Sequence, residues 1–178
     1  MTFEIDDLLL IESRLFEDDR GLFYESFNEE KYTKILGTEV RFVQDNISIS
    51  KKNVLRGLHF QKPPFAQGKL VTVLKGRVLD VAVDLRRNSK TYGKYEIVEL
   101  SDKNKRQFWI PPGFAHGFCA LEDDTLFSYK CSNYYSPEHE ETIIWNDRDL
   151  AIDWKINNPI ISEKDQMGKD FNTFVSPF

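Results

Sequence analysis

Alternation with period two dominates the chain. Residues 77–85 run Arg-Val-Leu-Asp-Val-Ala-Val-Asp-Leu, which puts Leu79, Val81, Val83 and Leu85 on one face and Val78, Asp80, Ala82 and Asp84 on the other. Side chains that point alternately to two sides are the mark of a strand. Residues 69–74 carry the same signature, and Lys75-Gly76 between the two runs predicts a hairpin turn. Further strands are predicted at 42–50, 55–61, 95–100, 107–110, 117–121 and 125–132. Turn residues recur at short intervals between them, which favours a mainly all-β sandwich or barrel over a doubly wound sheet.

Helical signals are few. Asn28 is a helix-capping residue, Tyr32, Ile35 and Leu36 follow at helical spacing, and Gly37 ends the run, predicting a helix over 29–36. Residues 146–149 and 162–166 predict short helical turns. The tail beyond Met167 has weak periodicity but carries Phe171, Phe174 and Phe178, which suits packing against the body or a partner. No repeat and no low-complexity linker interrupts residues 1–178, and 178 residues fit one domain of the usual ~100–200.

Composition narrows the class. With 14 Phe, 7 Tyr and 3 Trp the core should be rich in aromatic rings, and a formal charge of −5 argues against a nucleic-acid binder. The basic clusters Arg86-Arg87 and Lys103, Lys105-Arg106 adjoin turn residues and are expected to be solvated loops. The acidic start, MTFEIDD, lacks the basic and apolar regions of a signal peptide, and no run approaches the ~18 apolar residues of a membrane span. Cys119 and Cys131 form no CxxC pair and sit in apolar strand patterns as buried free thiols. The expectation is a cytoplasmic protein that touches neither membrane nor nucleic acid.

Five positions carry candidate chemistry: His59 in RGLHF, Lys69 in QGKLV, His116 in PPGFAHGF, Tyr129 in FSYKCSNYY and Asp165 in SEKDQ. A polar group buried without a partner costs about 2–7 kcal/mol on transfer scales, so polar residues in apolar strands call for an explanation. His59 falls on the face of Leu55 and Gln61, and His116 follows a Pro-Pro-Gly turn at what reads as a strand entrance. Each can be a satisfied core histidine; two on separate strands point to a shared cavity, where histidine can act as a base at neutral pH. Lys69 begins a strand, which sets its ammonium near the sheet end, either simply exposed or placed to stabilise an enolate oxygen. Tyr129 is a rim aromatic or an acid. Asp165 closes the S-x-x-D of a capping box, which explains it without any chemistry. Arg20, Arg56 and Lys164 are candidate phosphate binders. Only three histidines are present, His139 lies in a polar loop, and there is no His-x-His pattern, so no metal site is expected.

Taken in order, FEDDRGLFYESF, FVQDNISIS, LRGLHFQ, QGKLVTVLKGRVLDVAVDLR, IPPGFAHGF, YKCSNYYSPEHEETIIWND and ISEKDQ resemble the dTDP-4-dehydrorhamnose 3,5-epimerase family over nearly the whole chain. The resemblance implies a cupin-type jelly roll, a homodimer, and a cofactor-free isomerase acting on dTDP-4-keto-6-deoxy-D-glucose. It implies His59 as base paired with Asp165, Tyr129 as acid, and Lys69 and His116 at the C4 carbonyl. Arg20, Glu25, Gln44, Asn46, Arg56, Glu140 and Lys164 would bind substrate, with Tyr135 stacking on thymine. Arg56 and His59 lie three apart and would face opposite ways on a regular strand, so both can line a site only if Gly57 permits a bulge. The competing readings are a sugar-nucleotide-binding cupin without activity, and a relative that acts at C3 alone or as a ketoisomerase. The retained base and acid speak against the first, and Tyr129 against the second.

Overall fold

The computed structural model describes residues 3–178. In chain order these form strands β1 (Leu9–Glu12), β2 (Phe16–Asp18) and β3 (Gly21–Phe23), helix α1 (Glu29–Leu36), then β4 (Gln44–Ser50), β5 (Leu55–Gln61), β6 (Lys69–Lys75), β7 (Arg77–Asp84), β8 (Tyr95–Ser101), β9 (Arg106–Ile110), β10 (Phe114–Ala120), β11 (Thr125–Cys131), β12 (Glu140–Thr142) and a short α2 (Glu163–Gln166). Two antiparallel five-stranded sheets, β1-β9-β6-β11-β4 and β12-β5-β10-β7-β8, pack face to face, and β2-β3 form a separate hairpin. This is an all-β jelly-roll sandwich of cupin type.

The inner core lies between the sheets, where Val71, Val73, Phe108 and Phe127 of the first meet Val78, Ala82 and Phe118 of the second. On β7 the inward face is therefore the more polar of the two, Val78, Asp80, Ala82 and Asp84. Val81, Val83 and Leu85 point outward and are buried under Trp154 and Phe174 of the C-terminal segment. Phe174 and Phe178 both pack edge-on to Phe60, at 5.4 and 5.9 Å between ring centroids. The apolar tail thus closes the outside of the second sheet.

Two expectations are corrected, at Lys75-Gly76 and at Arg86. Lys75-Gly76 is not a hairpin turn, because β6 and β7 belong to different sheets. Gly76, at φ +83°, instead turns the chain from one sheet to the other. Residues 146–149 form the short turn expected, with the Ala151 N–H donating to the Asp147 carbonyl at 3.0 Å, while the Asp147 carboxylate takes the N–H groups of Asp149 and Leu150 at 2.9 and 3.0 Å and that of Phe171 at 2.7 Å. An aspartate that accepts the N–H groups two and three residues ahead caps such a turn. Arg86 is no solvated loop residue, since its guanidinium bonds the buried Asp84 carboxylate at 2.8–2.9 Å. Helix α1 forms as expected, with Asn28 Oδ1 accepting the Lys31 N–H at 3.1 Å and Gly37 at φ +67° ending it. Tyr32 anchors α1 against Leu70 and Trp109 on the outside of the first sheet.

Candidate active site

Strand β5 makes the site through one irregularity. Opposite β10, His59 pairs with His116 and Arg56 with Phe118, so three residues on β5 span two on its neighbour. The extra residue is a bulge, and Gly57 occupies it at φ +130°. A Cβ there would lie 2.5 Å from Gly117 Cα and 2.8 Å from the His116 carbonyl oxygen. Glycine is required both for the conformation and for the close approach. The bulge sends Leu55, Leu58 and Phe60 to the outer core and leaves Arg56 and His59 lining the same cavity. His59 therefore shares its face with Arg56 and Gln61, not with Leu55 as regular alternation predicts.

The cavity lies between the sheets as two adjoining lobes of about 290 Å³ each, both lined by His59, Lys69 and Tyr129. His59 and His116 come from the second sheet. Tyr129, on β11, stands between Val71 and Asn46 in the first sheet, and Lys69 pairs with Cys131 there. The histidines and the tyrosine thus occupy opposite walls.

His59 Nε2 lies 2.5 Å from Asp165 Oδ1, and Asp165 is almost fully buried. Burial alone would raise the Asp165 carboxyl, but the bond and charge of His59, the Gly57 N–H and the Ser162 hydroxyl together hold it below its ordinary value. The capping box is half-formed: Ser162 Oγ accepts the Asp165 N–H at 3.2 Å, while the Asp165 carboxylate turns away to His59. The residue both joins a capped turn and partners the histidine.

His116 is 7% exposed and sits within β10, not at a strand entrance. Its Nε2 lies 3.0 Å from both carboxylate oxygens of the fully buried Asp80. Burial pushes His116 below and Asp80 above their ordinary values, and each pulls the other partly back. Asp80 was missed as a site residue; its signal was a carboxylate alternating with Val78 and Ala82 in an apolar strand. Lys69 is enclosed by the sheets, and burial lowers its ammonium against the opposing pull of Cys131, Glu140 and Asp80. It is not the exposed strand-end lysine that its position suggested. Burial raises the Tyr129 phenol, with the Cys131 and Glu140 charges acting the same way.

The rim is polar. Tyr135 Oη donates to Glu140 Oε2 at 2.8 Å, and the Lys164 ammonium pairs with the same oxygen. Gln44 Nε2 donates to Asn46 Oδ1 at 3.1 Å, and its own Oε1 accepts the Tyr135 N–H at 2.9 Å. Arg20 and Glu25 do not join this set. Arg20 belongs to the exposed β2-β3 hairpin and pairs with Asp18, and Glu25 pairs with Lys31 at 2.6 Å. His139 is half-buried, its ring 4.5 Å from that of Phe65 and its Nδ1 2.8 Å from Ser136 Oγ, so it is not the solvated residue expected. Among the described residues no three His, Cys, Asp or Glu side chains gather as a metal-ligand set.

Residues 2–173 match the family described as dTDP-4-dehydrorhamnose 3,5-epimerase. The chain belongs to that family. It is 56% identical over 164 residues to the epimerase of that name from Escherichia coli, covering 92% of this chain and 89% of the relative. The enzyme from Shigella flexneri is 52% identical over 168 residues, covering 94% and 93%. Among solved structures, the dTDP-6-deoxy-D-glucose-3,5-epimerase from Legionella pneumophila, in complex with dTDP-4-keto-L-rhamnose, is 50% identical with a TM-score of 0.94 over 98% of this chain and 93% of that one. The lobe that holds His59, Asp165, Lys69 and Tyr129 is the candidate site that the geometry offers in this chain.

Proposed function

We propose that this chain converts dTDP-4-keto-6-deoxy-D-glucose to dTDP-4-keto-L-rhamnose by inverting C3 and C5. The observation that carries the reading is the placement of the His59–Asp165 pair and Tyr129 on opposite walls of one cavity. A ketone at C4 acidifies the hydrogens on both neighbouring carbons, so a single base serves both centres if the sugar ring flips or turns. His59 takes the proton, and the Asp165 carboxylate stabilises the imidazolium that results. The electrons move onto the C4 oxygen, where Lys69 and the His116–Asp80 pair stabilise the enolate in an enclosed site. Tyr129, kept protonated by burial, then delivers a proton from the other face, which inverts the carbon. A positioned acid or base contributes about 10²–10⁴-fold. Every step is a proton transfer at constant oxidation state, so the balance requires no redox cofactor.

Arg56, Gln44, Asn46, Glu140 and Lys164 line or rim the cavity and suit the nucleotide arm, with Tyr135 offering a ring to the base. The chain works as a homodimer in this reading. Arg20, beside the exposed apolar Phe16, Leu22 and Phe23, and Glu25, paired with Lys31, are not among the residues lining their own cavity, which suits a role in substrate binding at a second copy's site. Two free buried thiols suit a reducing compartment and support the reading of a cytoplasmic enzyme.

Proton NMR of the wild-type protein with dTDP-4-keto-6-deoxy-D-glucose in D₂O tests the reading. Deuterium is expected at C3 and C5 of a doubly inverted product, and incorporation at C3 alone would assign the chain to single epimerisation. Exhaustive chelation is expected to leave turnover unchanged; a loss restored by a particular divalent ion would contradict the mechanism.

A further inference from the structure

We propose that Gln61 is the positioning residue that presents Tyr135 to the nucleotide. The inference rests on the nucleotide-sugar reading of the site and adds to it a residue that has no role in the chemistry above. Gln61 ends β5 two residues after His59, is only 4% exposed, and spends its whole amide on backbone groups of the rim. Its Oε1 accepts the Ser136 N–H at 2.7 Å, and its Nε2 donates to the Tyr134 carbonyl at 3.1 Å. These two residues flank Tyr135 on either side. The second Nε2 hydrogen goes to the Phe65 carbonyl at 2.7 Å, which ties in the neighbouring loop of the rim. Gln44 completes the hold by accepting the N–H of Tyr135 itself.

The clamp demands both donor and acceptor in one side chain. A carboxylate at position 61 would keep the acceptor but set negative oxygens against two carbonyls, and an aliphatic side chain would leave all three backbone groups unpaired in a buried place. Meanwhile the Tyr135 ring is exposed and tethered only through its hydroxyl to Glu140. Its backbone is therefore what fixes the ring over the cavity. Preorganising an aromatic surface for a planar base lowers the ordering cost of binding and leaves the reacting end alone.

The test is a double-mutant cycle between Gln61 and Tyr135, using Gln61→Glu and the near-isosteric Gln61→Met with Tyr135→Ala. The dTDP dissociation constant is measured by calorimetry, alongside KM, kcat and melting temperature. Stacking of one base is worth enough that a displaced ring should weaken dTDP binding and raise KM roughly 10-fold or more, while kcat stays within about threefold, the mark of lost ground-state binding. In a Tyr135→Ala background the same Gln61 change should weaken dTDP binding no further. A folded Gln61→Met that binds dTDP like wild type would overturn the proposal, as would losses that add to those of Tyr135→Ala, or a fall in kcat at unchanged KM. Because dTDP binding asks nothing of epimerisation, a wild-type protein that binds dTDP without turnover would sink the functional reading and leave the clamp to be judged by the cycle.

Discussion

At the scale of single residues, Asp165 shows how one side chain can satisfy two explanations at once. The S-x-x-D spacing was legible, but a capping box cannot say where the carboxylate points. Ser162 caps the turn, and the carboxylate is free to reach His59 and the Gly57 N–H. The two roles separate by mutation. Ser162→Ala should cost about 0.5–2 kcal/mol, as for other lost caps, with turnover the lesser effect. Asp165→Asn should keep the fold and lower kcat by about 10²-fold or more, since the imidazolium loses its counter-charge. Its pH dependence follows from the depressed carboxyl. A carboxyl whose folded pKa lies below its unfolded value of about 3.9 contributes stability above that value and loses it as pH falls through the folded one. The melting-temperature gap between wild type and Asp165→Asn should therefore be widest near neutral pH and close below about pH 4. A gap that persists in acid would mean that packing, not charge, is what the substitution removed.

At the scale of elements, the strands of the sandwich were legible because their period-two pattern is long and repeated, and α1 because its cap, apolar positions and terminal glycine agree. What the pattern left open in β7 has a physical cause. A strand in a jelly roll whose outer face lies under the C-terminal segment is buried on both sides, so alternation in β7 shows two faces without saying which is the interior. β1, β2, β3 and β12 are three or four residues long, too short for a period to register. Asp80 was hidden for a related reason: its partner His116 is 36 residues away and reaches it only once β10 lies beside β7. The bulge in β5, by contrast, was visible as a conflict, because Arg56 and His59 cannot share a face on a regular strand. Gly57→Ala tests the bulge. The positive φ alone costs about 1–3 kcal/mol for a residue with a Cβ, and the clash with Gly117 adds to it. A marked drop in melting temperature and loss of turnover are expected; a stable, active variant would show that the strand needs no glycine there.

At the scale of the whole molecule, the proposed mechanism gives the two sheets separate jobs: the second would supply the base and the first the acid and the cation. The proposed homodimer supplies what the single chain lacks, since Arg20 stands outside its own cavity. Mixing Arg20→Ala with His59→Asn decides this. If Arg20 serves the partner's site, a mixed dimer holds one complete site, and random subunit exchange between two inactive homodimers should restore about a quarter of wild-type activity. No recovery on exchange would return Arg20 to its own subunit or remove it from the site.

In the proposed mechanism proton removal and proton return come from opposite walls, and Tyr129→Phe in D₂O separates the two. The substitution removes the hydroxyl and leaves the ring near Phe127, at 6.0 Å between centroids. Following isotope uptake and product configuration together, the mechanism predicts that deuterium still enters from the His59 side while net inversion, at C5 above all, falls by about 10²-fold or more. A doubly inverted product formed at near wild-type rate would contradict it, and would mean that another group or a water returns the proton.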